Sequence, residues 1–163
     1  MRFERLLKAV YENKKLVFLL KTVSLFAVAV SALSFAADVS FLYVKEGFAQ
    51  ALCLLLAAGI PFVAVSIFRI VINAKRPYEY YTFYEKKPKE KLGRSFPSRH
   101  VFSVFIIGVL TFKVCVIGGS VLLALGFLLG AARVLLGIHF LRDVIAGALC
   151  GAFGGLVGLL IFF

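Results

Sequence analysis

Five long apolar stretches constrain what this chain can fold into more than any other feature. Each is near the roughly 20 residues that a helix needs to cross the hydrocarbon core of a bilayer. A backbone inside a bilayer must satisfy its own hydrogen bonds, so such stretches predict helices. The stretches are Leu16–Ala37, Phe48–Phe68, Val101–Ile117, Ser120–Ile138 and Val144–Phe163. We therefore expect an all-α fold: a polytopic transmembrane helical bundle of about five spans with an interfacial N-terminal segment, forming a single domain over residues 1–163.

The formal charge of the chain is +11, from 19 Lys+Arg against 8 Asp+Glu. In a soluble protein such an excess would raise the question of nucleic acid binding. Here 62% of the residues are hydrophobic, and the cations lie at span ends, where they can contact lipid headgroups. We expect membrane lipids and no nucleic acid as partners. The cysteines, which lie in apolar stretches without ligand spacing, predict neither a disulfide framework nor a metal site, and no cofactor is expected.

Counting the five spans assigns each connection to one face of the membrane. The first face carries residues 1–15, 73–96 and 139–143, and the second carries residues 38–47, 118–119 and the C-terminus. Nearly all cations outside the spans lie on the first face, whereas the second has only Lys45 and nearby Lys113. We expect a multi-pass protein of the cell (inner) membrane. The positive-inside rule favours a cytoplasmic first face, and the outer side is the alternative.

Residues 73–96 form the only long polar segment, which mixes aromatic side chains with a run of lysines. Aromatic rings favour the depth of the headgroups, as expected for Tyr78, Tyr80, Tyr81, Phe83 and Tyr84. The lysines are typical of a solvated loop that anionic lipids attract: Lys86, Lys87, Lys89 and Lys91.

Three clusters of polar residues lie at span ends on the first face. Removing such groups from water is costly unless they have partners or a ligand. Each cluster alone has a structural explanation, either as snorkelling anchors, as an interfacial histidine, or as a hydrogen bond between residues four apart on one helical face. Their convergence on one face instead indicates a site. The clusters are Arg69 with Arg76-Pro77, then Phe96-Pro97-Ser98-Arg99-His100, then Arg133 with His139 and Asp143.

The second cluster is suited to binding an anion. Pro97 favours the first turn of a helix, which would leave the backbone N–H groups of Ser98, Arg99 and His100 free. The helix dipole adds to the attraction for a phosphate at this position.

The other two clusters add cations and acid–base groups. A carboxylate at Asp143 that accepts from one nitrogen of His139 would fix the tautomer and make the other nitrogen a better nucleophile. His100, opposite it, would protonate the leaving oxygen and then activate water. Guanidinium groups can bind the phosphate oxygens bidentately and stabilise the transition state; the candidates are Arg69, Arg76 and Arg133.

In these residues the chain resembles the type 2 phosphatidic acid phosphatase superfamily, which also includes acid phosphatases and vanadium haloperoxidases. The resemblance implies that His139 is the nucleophile, Asp143 its partner and His100 the acid and base. It also implies that the phosphate ligands are Arg69, Arg76, Ser98 and Arg133 with backbone amides, including that of Arg99. The signature has three parts: Arg69, six residues and Arg76-Pro77; Pro97-Ser98-Arg99-His100; and Arg133, five residues, His139, three residues and Asp143.

The chain departs from the family pattern at three positions. Arg69 stands where the family usually has Lys. The positive charge is kept, but a planar guanidinium replaces a compact ammonium group. Arg99 stands in place of Gly, and its side chain either points away from the phosphate or joins it as an extra cation. Ala132 replaces a Ser and removes one hydroxyl near the site. The family also commonly has six spans, against the five expected here.

The resemblance implies a metal-independent lipid phosphate or diphosphate phosphatase that acts through a phosphohistidine. Phosphatidate, phosphatidylglycerophosphate, polyprenyl phosphates or diphosphates and lipid A phosphates are the candidate substrate classes. Vanadate chemistry is an alternative with the same fold, although those relatives are larger and usually soluble. The non-enzymatic alternative is a membrane protein that binds anionic headgroups, for which an alanine at His139 would leave function intact.

Overall fold

The computed structural model describes residues 2–81 and 92–163, and in these ranges it contains helices but no strands. The expectations for Phe83, Tyr84 and the four lysines from Lys86 to Lys91 lie outside the described residues. The helices are α1 (Arg2–Glu12), α2 (Lys14–Glu46), α3 (Phe48–Ile72), α4 (Pro77–Tyr80), α5 (Arg99–Thr111), α6 (Val116–Leu135) and α7 (Leu141–Phe162). The all-α membrane bundle expected from the sequence is confirmed.

The third of the five predicted spans is shorter than expected. In the described residues four helical segments are long and apolar enough to cross a membrane. They are α2, α6, α7 and the segment Phe48–Tyr80, which begins with α3. Helix α5 has only 13 residues, which give it a length of about 20 Å against a hydrocarbon core of about 30 Å. The chain turns after Thr111, and Val116 and Ile117 already belong to α6. The prediction of one span over Val101–Ile117 was therefore wrong at its C-terminal end.

Helix α5 is the centre of the bundle, because α2, α3, α6 and α7 all pack against it. A helix that is apolar on every side is stable only when it is buried on every side. One side of α5 packs Phe102, Ile106 and Leu110 against Leu54 of α3. The other packs Val101, Val104 and Phe105 against Leu129 of α6. The start of α5, which carries His100, is thereby fixed inside the bundle.

Glycines allow α7 to approach α5 closely. A Cβ at Gly151 would lie 2.5 Å from the carbonyl oxygen of Phe102, and one at Gly147 would lie 2.6 Å from that of Ser98. Side-chain carbons do not approach other atoms so closely, so these positions require glycine. The sequence pattern of small residues in the last helix thus serves helix packing, as expected.

The predicted first face is one end of the bundle. The ring of Phe140, just before α7, lies 6.3 Å from that of Phe3 in α1 and 6.0 Å from that of Tyr80 in α4. Arg76 also donates to the carbonyl of Ile138 at 3.4 Å. The N-terminal segment, the start of the polar loop and the α6–α7 connection therefore meet at one end, as predicted.

The opposite end has its own polar contacts. Thr111 at the end of α5 donates to the buried carboxylate of Asp38 in α2 at 2.7 Å. Lys113 lies 3.7 Å from Glu46 and 5.2 Å from the centre of the Phe163 ring. Charged groups therefore mark both ends of the bundle, with apolar packing between them.

Candidate active site

A cavity of about 800 Å³ opens at the first end of the bundle. It lies between the end of α3, the start of α5, the end of α6 and the α6–α7 connection. All three predicted motifs therefore contribute to one cavity. The predicted site residues that line it are Arg69, Arg76, Arg99, His100, Arg133 and His139, whereas Ser98 and Asp143 lie buried behind the wall.

His139 lies in the connection before α7 and not on that helix. Helix α7 begins at Leu141, with Phe140 as its N-cap. The carbonyl of Arg133 accepts from the backbone N–H groups of Ile138 at 3.1 Å and His139 at 3.3 Å, which ties the connection to the end of α6. His139 and Asp143 therefore do not share one helical face, as the structural explanation of this cluster required, because α7 begins between them.

The contact between His139 and Asp143 passes through a residue that the sequence did not single out. The Nδ1 atom of His139 lies 3.7 Å from Oδ2 of Asp143, which is too far for a hydrogen bond. The hydroxyl of Ser95 donates to the same Oδ2 at 2.5 Å and lies 3.2 Å from Nδ1. All three residues are buried, and Ser95 and Asp143 are 0% exposed. A lone serine two residues before Pro97 gives no recognisable signal in a single sequence.

Asp143 occupies the first turn of α7, where the helix dipole favours a carboxylate. Its Oδ2 also accepts from the backbone N–H of Phe140 at 3.0 Å. Its own carbonyl accepts from the N–H of Ser98 at 2.8 Å, which joins α7 to the residue before α5. Asp143 thus connects the second and third motifs through both its side chain and its backbone.

The environment of His139 favours a neutral imidazole. Burial lowers the pKa of His139 to about 4, while the carboxylate of Asp143 acts in the opposite direction. At neutral pH the ring therefore has one nitrogen with a lone pair. A neutral imidazole can act as a nucleophile, whereas an imidazolium cannot.

Helix α5 does not include Pro97 in its first turn, because it starts two residues later. Helix α5 begins at Arg99, with Ser98 as its N-cap. The N–H of Ser98 already donates to Asp143, so the expectation that it is free was wrong. The amides of Arg99 and His100 belong to the first turn and have no partner within the helix. The hydroxyl of Ser98 is buried without a hydrogen-bond partner among the described residues.

Arg69 supports the loop before α5. Its guanidinium donates to the carbonyls of Arg94 and Pro97 and to that of Ser95 at 3.3 Å. A guanidinium has five N–H donors, so these three bonds leave two for a ligand in the cavity. The side chain thus positions the loop while its charge remains beside the cavity.

Arg76 and Arg133 differ in how many partners they have. Arg76 donates to the carbonyl of Gly93 at 3.0 Å and to that of Ile138, and it lies over the ring of Tyr78. Among the described residues the buried Nε of Arg133 has no hydrogen-bond partner. A buried donor without a partner is costly unless a ligand satisfies it, so Arg133 is well suited to bind an anion.

Arg99 and His100 face the open side of the site, and both are exposed. The guanidinium of Arg99 lies 5.7 Å from the centre of the Phe62 ring. A cavity of about 260 Å³ runs from these residues between α2, α3 and α5. A second, of about 210 Å³, joins His100 and Arg133 to Lys21 between α2 and α6. Lys21 therefore lies near the site, which the sequence did not predict.

The helical bundle defines a multi-pass membrane protein. At one end of the bundle, arginines and histidines line a single cavity. The family is shown by sequence comparison. The chain belongs to the PAP2 superfamily, whose family model matches residues 50–163. This range contains all the predicted site residues, and the membership confirms the resemblance found in the three motifs.

Individual relatives agree with this assignment. The chain is 38% identical over 68 residues to the bacitracin transport permease protein BcrC of Bacillus licheniformis, a match that covers 42% of this chain and 34% of BcrC. The chain thus matches about a third of the length of that relative. The crystal structure of Aquifex aeolicus LpxE is similar over 90% of this chain and 93% of its own, with a TM-score of 0.65 and 25% identity. The first transmembrane PAP2 type phosphatidylglycerolphosphate phosphatase from Bacillus subtilis, at 18% identity, shares the fold over 96% of this chain and 90% of its own, with a TM-score of 0.60.

Proposed function

We propose that this protein is a membrane phosphatase that hydrolyses a lipid phosphate or diphosphate through a phosphohistidine intermediate. The observation that carries the proposal is the convergence of both histidines and Arg133 on one cavity at the end of the membrane bundle. Ser98 and Arg133 add buried polar atoms that have no hydrogen-bond partner within residues 2–81 and 92–163, as expected of a site that binds an anion. We also propose that residues 1–163 act as one domain, because helices from both halves of the chain pack against α5.

In the proposed first step the Nε2 atom of His139 attacks phosphorus. A bond forms between phosphorus and Nε2 while the bond to the leaving oxygen breaks, and His100 gives its proton to that oxygen. In the second step His100 takes a proton from water, whose oxygen attacks phosphorus and breaks its bond to Nε2. Inorganic phosphate leaves, and both histidines return to their starting states.

The cationic groups stabilise the charge of the transferring phosphoryl group. Arg69, Arg76 and Arg133 all line the cavity, and the Nε of Arg133 has no partner in the part of the chain that the structure describes. The first-turn amides of Arg99 and His100 add the positive end of the α5 dipole. Because these donors are fixed by the bundle, they stabilise the transition state without reorganising.

A lipid substrate suits the position of the site. The two smaller cavities beside His100 lie between helices, so a phosphate can enter from the bilayer while its tail remains in lipid. The name of the Bacillus subtilis structure supports phosphatidylglycerophosphate as a candidate substrate. The likeness to BcrC, a protein named for bacitracin transport, keeps polyprenyl phosphates and diphosphates among the candidate substrates. Phosphatidate and lipid A phosphates complete the panel to be tested.

The test is phosphate release by the purified protein in detergent with EDTA, comparing wild type with His139→Ala across this panel. We expect release in the presence of EDTA, its loss in the variant, and an acid-labile phosphoryl group on the wild-type protein. The variant should retain the helical content and thermal unfolding of the wild type. A folded wild-type protein that releases phosphate from no lipid would overturn the proposal in favour of a headgroup-binding protein, and release abolished by EDTA would overturn its independence from metal.

We further propose that the protein lies in the cell membrane with the active site on the cytoplasmic side, because the cations concentrate at that end. Cys115 lies exposed at the opposite end. With the two other cysteines changed to serine, a membrane-impermeant maleimide should label Cys115 from outside intact cells. A chain whose sole cysteine is introduced by Lys14→Cys should be labelled only after lysis. The reverse pattern would place the active site outside.

A further inference from the structure

Ser95 occupies the space between the proposed nucleophile and its carboxylate, as described above. We propose that Ser95 is a positioning residue that holds the proton on Nδ1 of His139 and thereby leaves Nε2 free to attack phosphorus. The inference rests on the proposed function and deepens it, because it names the group through which Asp143 acts on His139.

The donors and acceptors permit one consistent arrangement. The carboxylate of Asp143 accepts from the N–H of Phe140 and has no proton to donate, so the 2.5 Å contact needs the hydroxyl proton of Ser95. A hydroxyl has only one proton. Towards Nδ1, at 3.2 Å, Ser95 can therefore only accept. The chain of bonds runs from Nδ1–H of His139 to Ser95 and from Ser95 to Asp143.

Without the hydroxyl, His139 and Asp143 would lose their connection. Their direct separation of 3.7 Å is beyond hydrogen-bonding distance. The imidazole would then be free to place its proton on Nε2, and in that tautomer the nucleophilic lone pair is absent. When Nε2 becomes phosphorylated, the ring gains positive charge, and the bond through Ser95 lets Asp143 stabilise it while the proton stays on Nδ1.

The position of the hydroxyl is fixed by the backbone on both sides. The N–H of Ser95 donates to the carbonyl of Ala74 at 2.8 Å, and its carbonyl accepts from Arg69 at 3.3 Å. Because the residue is also fully buried, its side chain has little freedom to move away. Arg69 thus contributes to the position of His139 even though it is far along the chain.

The test compares Ser95→Ala with Ser120→Ala, which removes an exposed hydroxyl that donates to the carbonyl of Val116 at the other end of the bundle. We expect Ser95→Ala to lower kcat by about 10- to 100-fold, the range found for groups that orient metal-ligating histidines through their second nitrogen. KM and inhibition by inorganic phosphate should change less than about threefold, because the cationic groups remain in place. Ser120→Ala should match the wild type.

The tautomer supplies a readout that a general loss of packing would not give. The chain has two histidines, so 15N labelling of histidine with His100→Gln for assignment reports on His139 alone. We expect the Nδ1–H form in the wild type at pH 7 and a shift toward Nε2–H in Ser95→Ala. A wild-type ring protonated on Nε2, or a Ser95→Ala protein with wild-type kcat, overturns the inference.

These outcomes separate the inference from the proposed function. A wild-type protein that hydrolyses no lipid phosphate refutes the proposed function. The tautomer measurement still shows whether Ser95 accepts a hydrogen bond from Nδ1 of His139. An active wild type with an unaffected Ser95→Ala refutes only the role of Ser95. If Ser95→Ala does not fold, Ser95→Cys retains a side chain of similar size with a weaker donor and acceptor, and a wild-type kcat in that variant would count against the inference.

Discussion

Replacing Gly147 with alanine tests whether the approach of α7 to the start of α5 sets the geometry of the site. The added Cβ would lie 2.6 Å from the carbonyl oxygen of Ser98, a backbone atom that cannot rotate away. Ordinary contacts begin near 3.4 Å, so Ser98 and α7 must separate by about 0.8 Å. The bond from the N–H of Ser98 to the carbonyl of Asp143, now 2.8 Å long, would then approach or exceed the usual limit.

The expected effect on catalysis is larger than the effect on stability. Overpacking costs about 1–3 kcal/mol, of which the better helix propensity of alanine offsets up to about 1 kcal/mol. A displacement near 1 Å between reacting groups lowers rates by about 100-fold. Because Asp143 is part of the shifted contact, we expect Gly147→Ala to lower kcat by about 10- to 100-fold while the protein still folds.

The assay is phosphate release in detergent at saturating lipid phosphate, with thermal unfolding followed on the same samples. The matched control is Gly59→Ala in α3, where an added Cβ meets nothing within 4 Å. This control should retain wild-type activity and unfold at an equal or higher temperature. A Gly147→Ala protein with kcat within about threefold of wild type would refute the argument that this close contact positions the site.

Three further predictions concern other parts of the molecule. Between pH 6.5 and 4 the folded protein holds fewer protons on His139 than the unfolded chain, because burial lowers the pKa of this residue to about 4. The free energy of unfolding should therefore fall as the pH drops through this window. Thermal unfolding of His139→Gln should show a smaller slope with pH than the wild type, and an equal slope would contradict the lowered pKa. Thr111→Val should destabilise the protein by about 1–3 kcal/mol, because the variant leaves the carboxylate of Asp38 without its buried donor. Thermal unfolding should show the loss of stability while kcat stays unchanged, and an unaltered stability would contradict the role of this bond. Arg133→Lys should weaken competitive inhibition by inorganic phosphate about 10- to 100-fold, because the buried Nε is lost; an unchanged inhibition constant would remove Arg133 from the phosphate site.

Much of the fold could be predicted because the signal for it is local. Apolar stretches of spanning length predict membrane helices wherever they occur in a chain, and counting them placed the three polar clusters at one end of the bundle. The cavity that Arg69, His100 and Arg133 line together confirms that placement. The same count could not give the length of α5, because the chain turns there within an apolar stretch.

The order of the site residues was likewise visible in the sequence, since each motif is a short string with fixed spacing. Their contacts were not. The bond from Ser95 to Asp143 joins residues 48 positions apart, and the bonds of Arg69 reach carbonyls 25 to 28 positions away. Nothing in the local pattern distinguishes Ser95 from the other serines.

The sequence by itself therefore determined the class of fold, the end of the bundle that carries the site, and the residue types available for phosphate chemistry. Hydropathy and motif spacing suffice for these, because both act over neighbouring residues. Only the tertiary structure decided that His139 lies before α7, that Ser95 stands between it and Asp143, and that the amide of Ser98 is already occupied. These depend on how closely α5 and α7 pack, and that distance is set by glycines and side chains that meet only after the helices have come together.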